Sequence, residues 1–135
     1  MIINIGASVA GTGQAVAPHV FFNTISNLNG RWAHGVGMEG DSPNGLVENN
    51  AFSAFTSAAG DNTAVRVEDN DGAGSLQVHN NSFLTGGFGI VNVTVNTVNG
   101  TCNWYGSANA ATVAAGNTGP VTFSPWLTSG TNSAP

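Results

Sequence analysis

The chain predicts an all-β fold: a short single-stranded right-handed parallel β-helix with a C-terminal cap. Three observations predict it. First, an asparagine, one residue and a large apolar side chain recur as Asn23-Thr24-Ile25, Asn50-Ala51-Phe52, Asn81-Ser82-Phe83 and Asn103-Trp104-Tyr105, at spacings of 27, 31 and 22 residues. A unit recurring on that scale marks a solenoid. Second, apolar residues alternate with a period of two rather than 3.6. Third, segments with turn chemistry separate the alternating runs.

Taken in chain order, Ile3 and Ile5 fit the strand of an early coil, with Ala7 to Ala17 as its turn and arc. Val20, Val47 and Val78 each stand three residues before a register asparagine, at the close of a short strand. Phe22, Asn49, Asn80 and Cys102 directly precede the register asparagines, and Asn49 over Asn80 predicts an inward or corner amide ladder. Ile25, Phe52, Phe83 and Tyr105 predict a stacked apolar ladder through the core. A second strand in each coil opens at Val36, Val65, Val91 and Val121, carrying the alternations Val36/Met38, Val65/Val67, Val91/Val93/Val95 and Val121/Phe123. Turns follow at Asp41–Gly45, Asp69–Gly74, Val98–Gly100 and Asn117–Pro120. The best helical stretch, Ala51 to Ala59, is broken by Ser, Thr and Gly60. Coil lengths differ because the arc after the aromatic varies, and solenoid insertions of that kind collect on one face, often the binding face.

The bulk numbers fit one domain over residues 1–135, with residues 1–100 as coils and residues 101–135 as the last coil and cap. Charged residues are 7%, against about 25% in ordinary domains. There is no lysine, and Arg31 and Arg66 are the only fixed cations. Low charge with 41% hydrophobic residues predicts an ordered chain. A net charge of −5 with two arginines argues against a nucleic-acid partner or an anionic membrane surface. No apolar run approaches the length of a membrane span. The first residues lack the basic region and long apolar stretch of a signal peptide, so either the chain is cytoplasmic or a leader and upstream sequence are missing. The polar, lysine-free composition points to a piece of an exported protein. Cys102, the single cysteine, excludes an internal disulfide and a cysteine-built zinc site, and its neighbours predict an inward position.

The stretch Asn103-Trp104-Tyr105-Gly106, followed by Gly119-Pro120-Val121-Thr122-Phe123-Ser124-Pro125-Trp126-Leu127, resembles the ending of secreted right-handed β-helix proteins of the pectate-lyase-like superfamily. Those close with Asn-Trp-Trp-Gly, a glycine-rich loop, a short strand and Ser-Pro-Trp-Leu. Here Tyr105 stands at the third position. The roughly four coils counted here are fewer than such proteins carry. That points to the C-terminal part of a longer protein, or to a short one completed by oligomerisation. The resemblance implies polysaccharide lyase or hydrolase activity. A lyase site of that kind would need several calcium-binding aspartates and a basic proton acceptor. Arg31 and Arg66 are present, without an aspartate cluster in matching coils.

Glycoside hydrolysis needs two carboxyls on one face. Glu39 and Glu68 each lie three residues after a strand-opening valine, so they are candidates for stacked outer-face neighbours, weighed against plain solvated residues. Glu68, Asp69 and Asp71, in the run Glu68-Asp69-Asn70-Asp71-Gly72, are a candidate calcium site without the full loop signature. A plain turn explains the same residues. His19, His34 and His79 come from different points of the coil without metal-ligand spacing. Ser53, Ser57 and Ser75 lie in no nucleophile elbow. Gly11-Thr12-Gly13 and Gly86-Gly87-Phe88-Gly89 have no lysine for a phosphate cradle. Trp104 and Trp126 fit packing over the solenoid's open end. Trp32, beside Arg31 in an arc, is the better ligand-binding candidate.

The function this predicts is a non-catalytic extracellular or cell-surface module, structural or adhesive, with polysaccharide as the candidate partner. The alternatives are a fragment or subunit of a polysaccharide lyase or glycoside hydrolase, and a self-associating unit of a spike or filament. Thr94, Thr97 and Thr122 do not form the outward threonine rows of an ice-binding face.

Overall fold

The computed structural model describes residues 3–5, 16–40, 43–68, 73–84 and 88–130. The chain winds as a parallel β-solenoid of about three turns. After β1 (Ile3–Ile5), the first coil comprises β2 (His19–Phe21), β3 (Thr24–Ser26) and β4 (Asn29–Glu39). The second comprises β5 (Leu46–Glu48), β6 (Ala51–Ser53) and β7 (Thr56–Glu68). The third comprises β8 (Gln77–His79), β9 (Ser82–Phe83) and β10 (Phe88–Asn92). A partial fourth follows with β11 (Val98–Asn99), the helix α1 (Ala110–Ala115), β12 (Asn117–Thr118) and β13 (Val121–Thr122). The strands stack into three sheets, in the orders β1-β4-β7-β10-β12, β13-β11-β8-β5-β2 and β3-β6-β9. All the paired strands run parallel.

The register asparagines form a column at one corner. Asn50 Oδ1 accepts from the backbone N–H and from Nδ2 of Asn23, both at 3.0 Å. Asn81 Oδ1 serves Asn50 in the same way, and Asn103 Oδ1 serves Asn81. Each lower amide also donates to a carbonyl of the coil before it: Val20, Val47 and Val78. The ladder runs through the register asparagines, one residue after Asn49 and Asn80. Those two, with Phe22 and Cys102, take the left-handed conformation at φ 55° to 58° and turn the chain into the next strand. Cys102 is accordingly partly exposed at this corner, not inward. Asparagine tolerates that region better than other non-glycine residues, which accounts for two of the four.

Ile25, Phe52, Phe83 and Tyr105 are buried as expected, the last three with centroids 5.6 Å and 5.1 Å apart. Each contributes roughly 1.5–3 kcal/mol by leaving water. Opposite them the sheet keeps small residues. A Cβ on Gly35 would stand 2.9 Å from the Phe52 ring, on Gly89 2.7 Å from Phe83, and on Gly116 3.0 Å from Tyr105. Ala64 holds the corresponding place in the second coil and is buried. The Tyr105 hydroxyl donates to Asn117 Oδ1 at 3.0 Å. Burial pushes its pKa up to about 12.

Two strand openings slip from the expected register. Val36 and Val65 pair as expected, but Ile90, not Val91, continues their column, and Asn117, not Val121, ends it. Val121 pairs with Val98 in the second sheet. A one-residue shift moves every side chain to the other face, and Val93 and Val95 are exposed. The inward residue there is Asn92, which closes a turn: its Oδ1 accepts from Thr94 and its Nδ2 donates to the Asn96 and Pro120 carbonyls. The Ala-rich stretch Ala51–Ala59 holds β6 and the start of β7, with residues 54–55 between them, while α1 is helical, capped by Asn109 and anchored by buried Val113. The C-terminal stretch closes the last rung: Cys102 N–H donates to Pro125 O, Leu127 N–H donates to Asn103 O, and Trp126 packs against the core. The expectations on residues 7–15, 41–42, 69–72 and 86–87 lie outside the described residues.

Candidate functional site

The long strands β4 and β7 carry the site on their outward positions. They pair with Gly30 beside Ser57, 27 residues on, but with Trp32 beside Asp61, 29 residues on. Two extra residues therefore enter β7 at a bulge, where Ala58, Ala59 and Gly60 are exposed. Bulges re-aim side chains next to functional sites. Beyond it the 29-residue offset holds, setting His34 beside Thr63, Gly37 beside Arg66 and Glu39 beside Glu68.

Trp32, His34, Glu39, Asp61, Arg66 and Glu68 line one cleft of about 440 Å³. Arg66 organises its acidic wall. Its Nη1 lies 3.3 Å and 3.5 Å from the two Asp61 carboxylate oxygens, and its Nε donates to Glu68 Oε1. Asp61 Oδ1 also accepts from the buried Thr63 hydroxyl at 3.2 Å. His34 Nε2 stands 3.2 Å from Asp61 Oδ2, within ion-pair distance but off the angle of a hydrogen bond. Trp32 is 56% exposed, with the Arg31 guanidinium carbon 4.8 Å from its ring centroid. That contact restrains the indole without burying it. The Arg31 carbonyl accepts from the Ser57 hydroxyl, which ties the site to the neighbouring coil.

In a chain this poor in charge, the location of the charged residues is informative. Among the described residues, Glu48 is the one charged side chain outside the cleft and its Arg31 flank. These ion pairs are partly buried and stand beside an exposed indole.

The structure thus places the sequence candidates Glu39 and Glu68 on adjacent rungs and adds Trp32 to the same cleft, with Arg31 at its edge. His34, Asp61 and Arg66 are site residues that the sequence reading did not assemble. Asp69 and Asp71 of the calcium expectation lie outside the described residues, and Glu68 is engaged by Arg66. Among the described residues no group of three or more His, Cys, Asp or Glu side chains is placed to hold a metal ion. His19 and His79 converge on Glu48 across three coils, at 2.9 Å and 3.9 Å. A second cavity, about 370 Å³, is lined by Phe83, Phe88, Tyr105 and residues of α1 and its end, with no charged group in that lining.

No protein-family model, curated protein or solved structure matches the chain. The resemblance of the C-terminal stretch to pectate-lyase-like proteins therefore rests on its own residues. No helix among the described residues is long and apolar enough to cross a membrane.

Proposed function

We propose that the protein is a non-catalytic carbohydrate-contacting β-solenoid module of the cell surface or extracellular space, and that the β4–β7 cleft is its glycan contact. The observation that carries this is the exposed Trp32 indole set on the rung beside Asp61 and over a wall of hydrogen-bonding groups. A sugar ring offers a C–H-rich face and a rim of hydroxyls. An indole takes the first, while carboxylates and a guanidinium take the second. The groups stand on paired strands, which hold a recognition geometry better than a loop does. The extracellular placement rests on the lysine-free composition and on the resemblance of the C-terminal stretch to secreted proteins.

Calorimetric titration with a panel of oligosaccharides tests this reading. Trp32→Ala should weaken the best ligand by about thirtyfold, the effect of removing a binding hot spot. Its thermal unfolding should stay that of the parent, because the side chain is more than half exposed. A panel without a ligand, or a variant that binds as the parent does, would contradict the proposal.

One observation favours a second reading, a subunit or fragment of a polysaccharide-degrading enzyme: Glu39 and Glu68 are strand partners. Stacked strands are about 4.8 Å apart, close to the roughly 5–5.5 Å carboxyl separation of retaining glycosidases. The grip of Arg66 on Glu68 weighs against a mobile acid–base pair. Self-association is a third reading, supported by β2 and β3 at the edges of their sheets and by exposed Phe21 and Phe22.

A further inference from the structure

We propose that the cleft selects glycans by charge, taking amine-bearing hexosamine chains and rejecting polyuronates. This rests on the carbohydrate reading above and adds the substrate class. Glu39, Asp61 and Glu68 contribute three negative charges and Arg66 one positive, so the lining carries −3 + 1 = −2 with His34 neutral and −1 with it protonated. Arg31 stacks on Trp32 beside the lining rather than within it. A site for uronates needs a guanidinium or ammonium ready to clamp a carboxylate. Arg66 is the one fixed cation in the lining, and its Nε and Nη1 are already held by Glu68 and Asp61.

The cleft is more than an acidic patch. His34, whose side chain is 9% exposed, lines it with a buried Nε2 that makes no hydrogen bond and faces Asp61 Oδ2 at 3.2 Å. A buried polar atom without a partner calls for one. An ammonium group, with three hydrogens to donate, suits the partly exposed Asp61 carboxylate that this imidazole faces. The indole, 56% exposed, supplies a platform for the sugar ring on the side away from Arg31. At long range, the net charge of −5 draws a polycation and repels a polyanion.

The test titrates the intact chain with a glucosamine oligomer, its fully N-acetylated counterpart and an oligogalacturonate of equal length. The pH is kept below the amine's range and above that of the carboxylates. The amine form should bind on the order of tenfold more tightly than the acetylated form at low salt, and the gap should narrow as salt rises. Glu39→Gln should lower affinity for the amine form by about two- to fivefold more than it lowers affinity for the acetylated form. The oligogalacturonate should not bind. Amine and acetylated forms within twofold of each other, both dependent on Trp32, would overturn the charge selection and leave the carbohydrate reading standing. Oligogalacturonate binding as tight as that of the amine would overturn it too. Silence from every oligomer would overturn both.

Discussion

Asn81→Ala should lower the stability of the fold by about 4 kcal/mol, because it strands buried polar groups in two coils at once. Asn81 is fully buried. Its Oδ1 accepts from the Asn50 backbone N–H and from Asn50 Nδ2. The two hydrogens on its Nδ2 are shared among the Val47 carbonyl, the His79 carbonyl and Asn103 Oδ1. Alanine removes every one of these contacts and offers no replacement. An unsatisfied buried donor or acceptor costs about 1–3 kcal/mol, and a domain commonly holds only about 5–15 kcal/mol in all. Asn23→Ala is the matched control. Asn23 begins the column, is half-buried, and donates to Asn50 Oδ1 and the Phe21 carbonyl. Its loss should cost about 1 kcal/mol. Denaturant unfolding of both variants checks the difference, and equal losses would mean that the column does not act through its buried middle.

Phe52→Ala should cost a similar amount, about 4 kcal/mol, through a cavity rather than through polar groups. Phe52 is 2% exposed, with its centroid 5.6 Å from that of Phe83 and edge-on to Phe55 at 6.3 Å. Gly35 packs against its ring so closely that no Cβ fits there. The neighbours most able to collapse into the space are themselves locked into stacked rungs, so relaxation should be slight and the loss near the upper part of the range for such substitutions. Denaturant unfolding with an unchanged slope but a lowered midpoint is the expected result. A loss under about 1 kcal/mol would show that the aromatic ladder is not a packed column.

Much of this was legible because stacking imposes sameness. Each coil presents the same hydrogen-bonding demand at its corner, so each carries an asparagine there, and the aromatic two residues on meets its counterpart in the same way. The left-handed corner was hidden because Phe22 and Cys102 occupy it alongside Asn49 and Asn80, and neither residue type signals that backbone. The third coil slipped because Ile90 and Val91 are both apolar, and only the inward Asn92 turn tells which of them faces the core. Helix α1 is too short to show a periodicity, though Asn109 and Gly116 at its ends were its signals.

The site was half legible for a related reason. Equal distances from Val36 to Glu39 and from Val65 to Glu68 predicted the stacked carboxylates. Carrying the same 29-residue offset back along the chain brings Trp32 to Asp61. The asparagine spacing of 27 conceals this, because the two residues added at the bulge lie between the corner and the cleft. His34 and Arg66 come into the cleft only once that bulge is known.

The most direct test of the cleft as the binding site is amide NMR during titration with the glucosamine oligomer. Shift changes should concentrate on Trp32, including its indole N–H, and on His34, Asp61, Arg66 and Glu68. Changes centred on Phe21 and Phe22, or on Trp104 and Trp126, or no changes anywhere, would contradict it.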